Sequence, residues 1–200
     1  LPGLVVDRFG DVLVMQLNNS GMERYREPLL QALVATLAPS GILLRSDSRS
    51  RREQGLATES EVAYGAVPRQ VPLQENGVQF LAPVYDGQKT GWFYDHRMSR
   101  ARLAPWVRGK RVLDVYSYIG GWGVQAAAFG ATSVCCLDSS AQALEGVEAN
   151  ARLNQLHDRV TTRRGSAPET MAAMQAEGAL FDVVILDPPA FIQRKKELKK

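Results

Sequence analysis

The apolar residues of this 200-residue chain are spaced in two different ways. From about residue 95 onward, short solid apolar blocks alternate with longer stretches at helical spacing. Val112-Leu113-Asp114-Val115, Val134-Cys135-Cys136-Leu137 and Val183-Val184-Ile185-Leu186 are such blocks, the pattern of strands buried on both faces of a parallel sheet. The spacing predicts a helix at about 95–107, strand 111–116, helix 122–129, strand 132–137, helix 140–154, strand 159–163, helix 167–177 and strand 181–186. Strict alternation of strand and helix implies right-handed crossovers in one parallel sheet. Four strands are fewer than a doubly wound sheet usually carries, so further strands are expected beyond Lys200. With no initiator methionine before Leu1, the chain reads as a fragment.

Residues 1–87 follow another rhythm. Alternating segments at 4–9 and 12–17 predict a hairpin around Gly10-Asp11. A helix over 22–38 would place Leu29, Leu30, Leu33, Val34 and Leu37 on one face, and Pro28 fits a first helical position. A strand is expected at 41–45. Residues 45–61 hold Arg45, Arg49, Arg51 and Arg52 among interleaved acids and read as a solvated segment rather than an RNA grip. Strands 71–75 and 78–84 flank Asn76-Gly77, a strong hairpin signal. The expected organisation is a small α+β domain over 1–87, a spacer or RNA-binding unit, followed by a second domain over 88–200.

Composition narrows the class. Hydrophobic residues make up 45% and charged residues 22%, so the chain folds rather than staying disordered. No apolar run approaches about 18 residues, so no membrane span is expected, and no basic-then-apolar leader is visible. The two cysteines are adjacent, which puts them on opposite faces of a strand and implies no disulfide framework; a reducing, cytoplasmic setting is expected. His96 and His157 form no ligand set with them, so no metal is expected. The net charge of +3 is uneven: residues 1–87 carry −2, residues 88–200 carry +5, and residues 194–200 alone supply +4. Such a cluster suits a phosphate backbone or a solvated helix start equally well.

The candidate chemistry lies where strands end. The turn after strand 111–116 reads Ser117-Tyr118-Ile119-Gly120-Gly121-Trp122-Gly123, with glycines that let the backbone approach a ligand. Asp138 ends the next strand, where a doubly wound fold holds ribose hydroxyls; a cap on the helix at 140 is the other use. Gly121-x-Gly123-x-x-Ala126 matches a dinucleotide fingerprint, but residues 117–120 intervene between it and the strand. Asp114 followed by a glycine turn better suits the cationic amino-acid end of S-adenosylmethionine, which has no phosphate for a helix N-terminus. Pro188 and Pro189 cannot donate to a ladder, so strand 181–186 stops at Asp187. This leaves a carboxylate suited to gripping a planar base beside a cofactor, or to capping a following helix.

Four blocks together resemble a known family: Gln88-Lys89-Thr90-Gly91-Trp92-Phe93-Tyr94-Asp95-His96-Arg97; Asp114-Val115-Tyr116-Ser117-Tyr118-Ile119-Gly120-Gly121; Asp138-Ser139-Ser140; and Asp187-Pro188-Pro189-Ala190-Phe191. They resemble the class I S-adenosylmethionine-dependent methyltransferases of large-subunit ribosomal RNA, in particular the cytosine-C5 branch with an N-terminal PUA domain. The opening Leu1-Pro2-Gly3-Leu4-Val5-Val6-Asp7-Arg8-Phe9-Gly10 is similar to the start of that branch's central domain. The resemblance implies a Rossmann-like class I methyltransferase sheet preceded by a small α+β domain. It implies that Phe93 to Arg97 close over S-adenosyl-L-methionine and that Tyr116, Ser117, Tyr118, Gly120 and Gly121 wrap its methionine moiety. Asp138 with Ser139 would hold the ribose. Ser166 would stand where many methyltransferases carry an acid for the adenine amino group. Asp187 and Pro188 would face the methyl group and the base as the catalytic pair. Interdomain packing is the other use of Trp92, Phe93 and Tyr94. The implied partner is 23S ribosomal RNA, with a second copy of the chain as a further candidate.

The resemblance also implies a reaction. C5 of cytosine is a poor nucleophile, and the family adds a cysteine thiolate to C6 to activate it. Cys135 and Cys136 fall mid-strand and read as core, so the nucleophile is expected beyond Lys200. A sister branch that methylates guanine N7 shares the Ser-Tyr-x-Gly turn and the Asp-Pro-Pro-x-Phe loop, and methylation at guanine N7, at guanine N2 or at another amino group would use that loop without a thiolate. A nicotinamide-dependent oxidoreductase would leave the Asp-Pro-Pro loop without a role. A non-catalytic scaffold gripping cofactor and RNA is the remaining reading.

Overall fold

The computed structural model describes residues 1–189. Ala190, Phe191 and the basic run at 194–200 lie outside the described residues. Contacts divide the chain into one unit of Leu1–Leu73 with Leu81–Tyr94 and another of Gln74–Phe80 with Asp95–Lys200.

In the first unit, β1 (Leu4–Phe9) and β2 (Val12–Leu17) pair antiparallel across the expected turn. The single helix expected over 22–38 is two, α1 (Ser20–Glu23) and α2 (Arg26–Leu37). Asn19 nucleates α1 by accepting from the Met22 N–H at 2.8 Å, and Pro28 occupies the third rather than the first position of α2. Its missing N–H costs nothing there, because the first turn of a helix has no internal acceptor for it. Strand β3 (Gly41–Leu44) returns parallel to β2. Leu13, Met15, Leu17, Leu30, Ile42 and Leu44 form the core.

The segment expected to be solvated is more structured than its composition suggests. It contains α3 (Arg49–Glu53) and leads to β4 (Glu61–Gly65), a largely exposed strand antiparallel to β3. The sheet order is β1-β2-β3-β4. Arg45 is 3% and Arg51 2% exposed, so two of the four arginines are core residues. Buried guanidinium is tolerated only when its donors are met. Arg45 donates to the Val84 and Gly87 carbonyls and to Asp47. Arg51 donates to the Ala57 and Leu17 carbonyls at 2.8 and 2.7 Å and to Glu23.

Strands β5 (Gln70–Glu75) and β6 (Val78–Pro83) make the Asn76-Gly77 hairpin. Both turn residues have positive φ, 52° and 81°, as a type I′ turn requires. The tip of this hairpin is counted with the second unit, where Asn76 and Glu75 are hydrogen-bonded.

In the second unit the helix expected at 95–107 is broken. It consists of α4 (Arg97–Ala101) and α5 (Ala104–Val107), the latter restarted with Pro105 in its first turn. Then follow β7 (Arg111–Val115), α6 (Gly123–Ala128), β8 (Ser133–Asp138), α7 (Ala141–Leu153), β9 (Val160–Arg164), α8 (Ala167–Ala176) and β10 (Val183–Leu186). All described strand pairs of this sheet are parallel, in the order β10-β7-β8-β9. The expected alternation is observed, with ends shifted by one or two residues.

Candidate functional site

Strand register decides where the carboxylates fall. Leu186, Val115 and Leu137 lie side by side on β10, β7 and β8. Asp187 and Asp138, each one residue further on, therefore flank Tyr116 at the carboxyl end of the sheet, and Asp114 lies two positions back on the central strand. Because β8 and β9 extend one way from β7 and β10 lies on its other side, this is the switch point where open α/β sheets part to admit ligands.

Residues 116–123 form a tight loop there. Tyr116, Tyr118 and Gly120 all lie at positive φ, 64°, 49° and 84°. For the two tyrosines this costs roughly 1–2 kcal/mol each, so the surroundings must hold the loop in place. The Ser117 N–H donates to the Leu137 carbonyl at 3.1 Å, and the Tyr118 N–H donates to Asp138 Oδ2 at 2.9 Å. Asn150 and Gln125 side-chain amides each donate, at 3.0 Å, to the Ile119 and Gly121 carbonyls. The Gly123 N–H donates to Asp114 Oδ2 at 2.8 Å. A Cβ on Gly123 would sit 2.4 Å from Cys136 Sγ and 2.9 Å from that carboxylate oxygen, so only glycine permits the approach.

Asp114 is completely buried, and its Oδ1 has no hydrogen-bond partner among the described residues; neither has the buried Ser117 Oγ. Burial pushes the Asp114 pKa up to about 7; the Gly123 N–H opposes this, and the negative charges of Asp187 and Asp138 add to it. An acid near neutrality with a vacant acceptor oxygen would be stabilised in its ionised form by a cationic group. Asp138 accepts a second hydrogen bond, from the Ser140 N–H, at 2.9 Å. The cap of α7 is Ser140, whose hydroxyl accepts from the Ala143 N–H at 3.2 Å. Each Asp138 oxygen thus keeps a lone pair for another donor.

The structure brings Tyr116, Ser117, Tyr118, Gly120, Gly121, Asp138 and Asp187 to one end of the sheet. Ser139 follows as an exposed residue whose carbonyl accepts from Arg164. Ser166 is the exposed N-cap residue of α8, and its side chain makes no cap hydrogen bond. Pro188 is exposed. Arg97 is exposed, and its carbonyl accepts from Asn76 at 3.1 Å. Phe93 belongs to the first unit, where the Lys89 ammonium lies 4.3 Å from its ring centroid.

Sequence reasoning overlooked the surroundings of Asp187. Trp122 Nε1–H donates to Asp187 Oδ2 at 3.0 Å, and His96 Nε2 lies 3.7 Å from the same oxygen. The rings of His96 and Trp122 are 5.8 Å apart. Beneath them is a buried polar cluster: Glu75 accepts from Arg100 at 2.5 and 3.0 Å and from Gln125 at 2.9 Å. An indole at a glycine turn signals a buried N–H needing an acceptor, but a partner 65 positions away is invisible in local pattern. The two cysteines do not join the site. Burial raises both thiols above their ordinary range, Cys136 most, leaving them protonated and inert.

A family model for S-adenosylmethionine-dependent methyltransferases matches residues 28–198. The chain belongs to the S-adenosylmethionine-dependent methyltransferase family. Ribosomal RNA large subunit methyltransferase I of Shewanella denitrificans is 38% identical over 200 residues, 99% of this chain and 50% of that protein. The enzyme of the same name from Salmonella paratyphi B is 36% identical over the same shares. A methyltransferase solved with S-adenosylhomocysteine superimposes with a TM-score of 0.83 at 26% identity, over 98% of this chain and 50% of that one. A Methanocaldococcus jannaschii tRNA m1G37 methyltransferase, at 18% identity and a TM-score of 0.72, shares the fold. The chain thus spans about half the length of the curated relatives it matches. The parallel sheet expected from the alternation of elements is observed, and the Rossmann-like class I methyltransferase fold that the resemblance implied is the one these neighbours have. S-adenosylmethionine is the family's cofactor, and the vacant Asp114 and Ser117 oxygens at the carboxyl end of β7 fit its cationic amino-acid end.

Proposed function

We propose that this chain carries the cofactor-binding half of an enzyme that methylates cytosine C5 in large-subunit ribosomal RNA. One observation carries the substrate: 38% identity along nearly the whole chain to a protein named for large-subunit ribosomal RNA methylation. The cytosine branch rests on the resemblance of residues 1–87, since the sister branch shares the Asp-Pro-Pro loop. In this reading residues 1–87 are a spacer that helps engage RNA.

Asp114 and Ser117 hold the amino-acid end of the cofactor, Asp138 accepts from a ribose hydroxyl, and the backbone of residues 116–121 shapes the wall between them. Ser139 and Ser166 border the nucleoside side, and Arg97 covers it. Bound there, S-adenosylmethionine supplies an electrophilic methyl group on its sulfonium. Asp187 meets the ring-nitrogen edge of a base extruded from its stack, and the Trp122 indole N–H fixes which way its carboxylate turns. Pro188 stiffens the loop beside it. Neither Cys135 nor Cys136 attacks C6, because both thiols stay neutral inside the sheet.

The test is transfer of tritiated methyl from S-adenosylmethionine to ribosomal RNA by the full-length protein, followed by nucleoside analysis. Label in 5-methylcytidine is expected. Label in a methylguanosine would replace the cytosine branch with its sister, and no transfer to RNA would end the reading.

A further inference from the structure

We infer that the outer face of the α4–α5 segment, marked by Met98, Arg102 and Trp106, is a stacking surface for single-stranded RNA beside the target nucleotide. This deepens the reading of ribosomal RNA as substrate and rests on it. The two short helices are joined by a tight turn at Arg102 and Leu103, both with right-handed backbone angles. The inner face carries buried Arg100 and Val107, with half-buried Leu103 and Ala104 between them. The outer face should be polar, yet Met98 is 68% and Trp106 71% exposed, with exposed Arg102 between them.

Charge identifies the occupant. From residue 96 to 113 there are six arginines and lysines and no acid. Arg100 and Arg111 are engaged by Glu75 and Asp182, but Arg97, Arg102 and Arg108 form no ion pair among the described residues. An exposed indole with free guanidinium groups on either side of it in sequence suits a stacked base and its neighbouring phosphates. Position agrees. The segment starts at His96, 3.7 Å from Asp187, and ends at Lys110, which enters β7 at the opposite end of the sheet. Five residues of strand, about 16 Å, separate the two ends, so the face leads away from the proposed base site along the flank of the domain.

The experiment measures anisotropy of a fluorescein-labelled, single-stranded 12-nucleotide ribosomal RNA fragment titrated with the full-length protein. Trp106→Ala is expected to weaken binding roughly tenfold, the loss of one base–aromatic stack, and Trp106→Phe to restore most of it. Arg102→Gln is expected to lower the slope of log affinity against log salt by about one. Calorimetric affinity for S-adenosylhomocysteine should be unchanged in all three. Equal RNA affinity for wild type and Trp106→Ala would overturn the inference while leaving the substrate reading intact. So would a change in sedimenting mass or thermal midpoint without a change in RNA affinity, which would make Trp106 part of a protein interface. If the wild type bound no RNA at all, the substrate reading itself would fall and take this surface with it.

Discussion

The two units bury charge in opposite ways. In the first, Arg45 and Arg51 are as deeply enclosed as any leucine, and each is surrounded by carbonyl and carboxylate acceptors. In the second, Asp114 is enclosed just as fully, but one oxygen has a single N–H and the other has nothing among the described residues. Buried polar groups are normally satisfied because an unmet one costs about 1–3 kcal/mol, more when charged. A fully met charge braces the fold. A buried carboxyl left half met at the switch point of the sheet braces nothing, and in the proposed reading it receives the cationic end of the cofactor.

That contrast breaks first, and most, at Asp114. Its pKa of about 7 lies above the ordinary 3.8, so between about pH 4 and pH 7 the folded state keeps a proton that the unfolded chain has released. Stability therefore falls as pH rises through that window and levels off above it. The span corresponds to about 4 kcal/mol. Asp114→Asn should remove this slope, seen as the difference between wild-type and variant urea midpoints across pH. The same variant should bind S-adenosylhomocysteine more weakly. Wild-type binding near pH 6–7 should release a proton, read from calorimetry in buffers of different ionisation enthalpy. A flat difference curve would remove the assignment of Asp114 as a neutral, waiting acid.

The braced side breaks at Arg51. Arg51→Met leaves Glu23 and two buried carbonyls without their donor and should cost about 3 kcal/mol of unfolding free energy, read from denaturant midpoints. Affinity for S-adenosylhomocysteine should hardly change. If it fell in step with stability, the separation between brace and receptor would be wrong.

The sequence made half of this contrast legible. Short, mostly apolar blocks announced β7, β8 and β10, and the parallel ladder then carried Asp138 and Asp187 to the same level without any local signal being needed. The glycine turn announced residues 116–123, although not that two tyrosines within it would take left-handed backbone angles, which follows from hydrogen bonds made by Leu137, Asp138 and Asn150. Arg45 and Arg51 could not be told from Arg49 and Arg52, because burial of a guanidinium depends on which carbonyls converge on it. Strand β4 was hidden since an exposed edge strand needs no apolar stripe. The Trp122–Asp187 bond joins residues that only the closed sheet makes neighbours.

That bond offers a finer test of the receptor side. Trp122→Phe keeps the ring and removes one donor to a half-exposed carboxylate, a loss of about 1 kcal/mol. Methyl transfer should slow about fivefold while affinity for S-adenosylhomocysteine stays constant. An equal loss in cofactor affinity would mean that Trp122 shapes the cofactor pocket rather than aiming Asp187.

The smallest effect is expected at Cys135, and its smallness carries information. A thiol can be buried in a third manner, as a nearly apolar group that requires no partner and offers no charge. Cys135 sits mid-strand beside Cys136, and burial holds its proton on. Serine in its place keeps the shape and loses any capacity for nucleophilic attack, so Cys135→Ser should alter methyl transfer to ribosomal RNA by less than about twofold, whereas loss of a covalent nucleophile costs orders of magnitude. A collapse of activity with an unchanged thermal midpoint would move the nucleophile into this sheet and would require the target base to enter from its middle, where the register of β7, β8 and β9 leaves no opening.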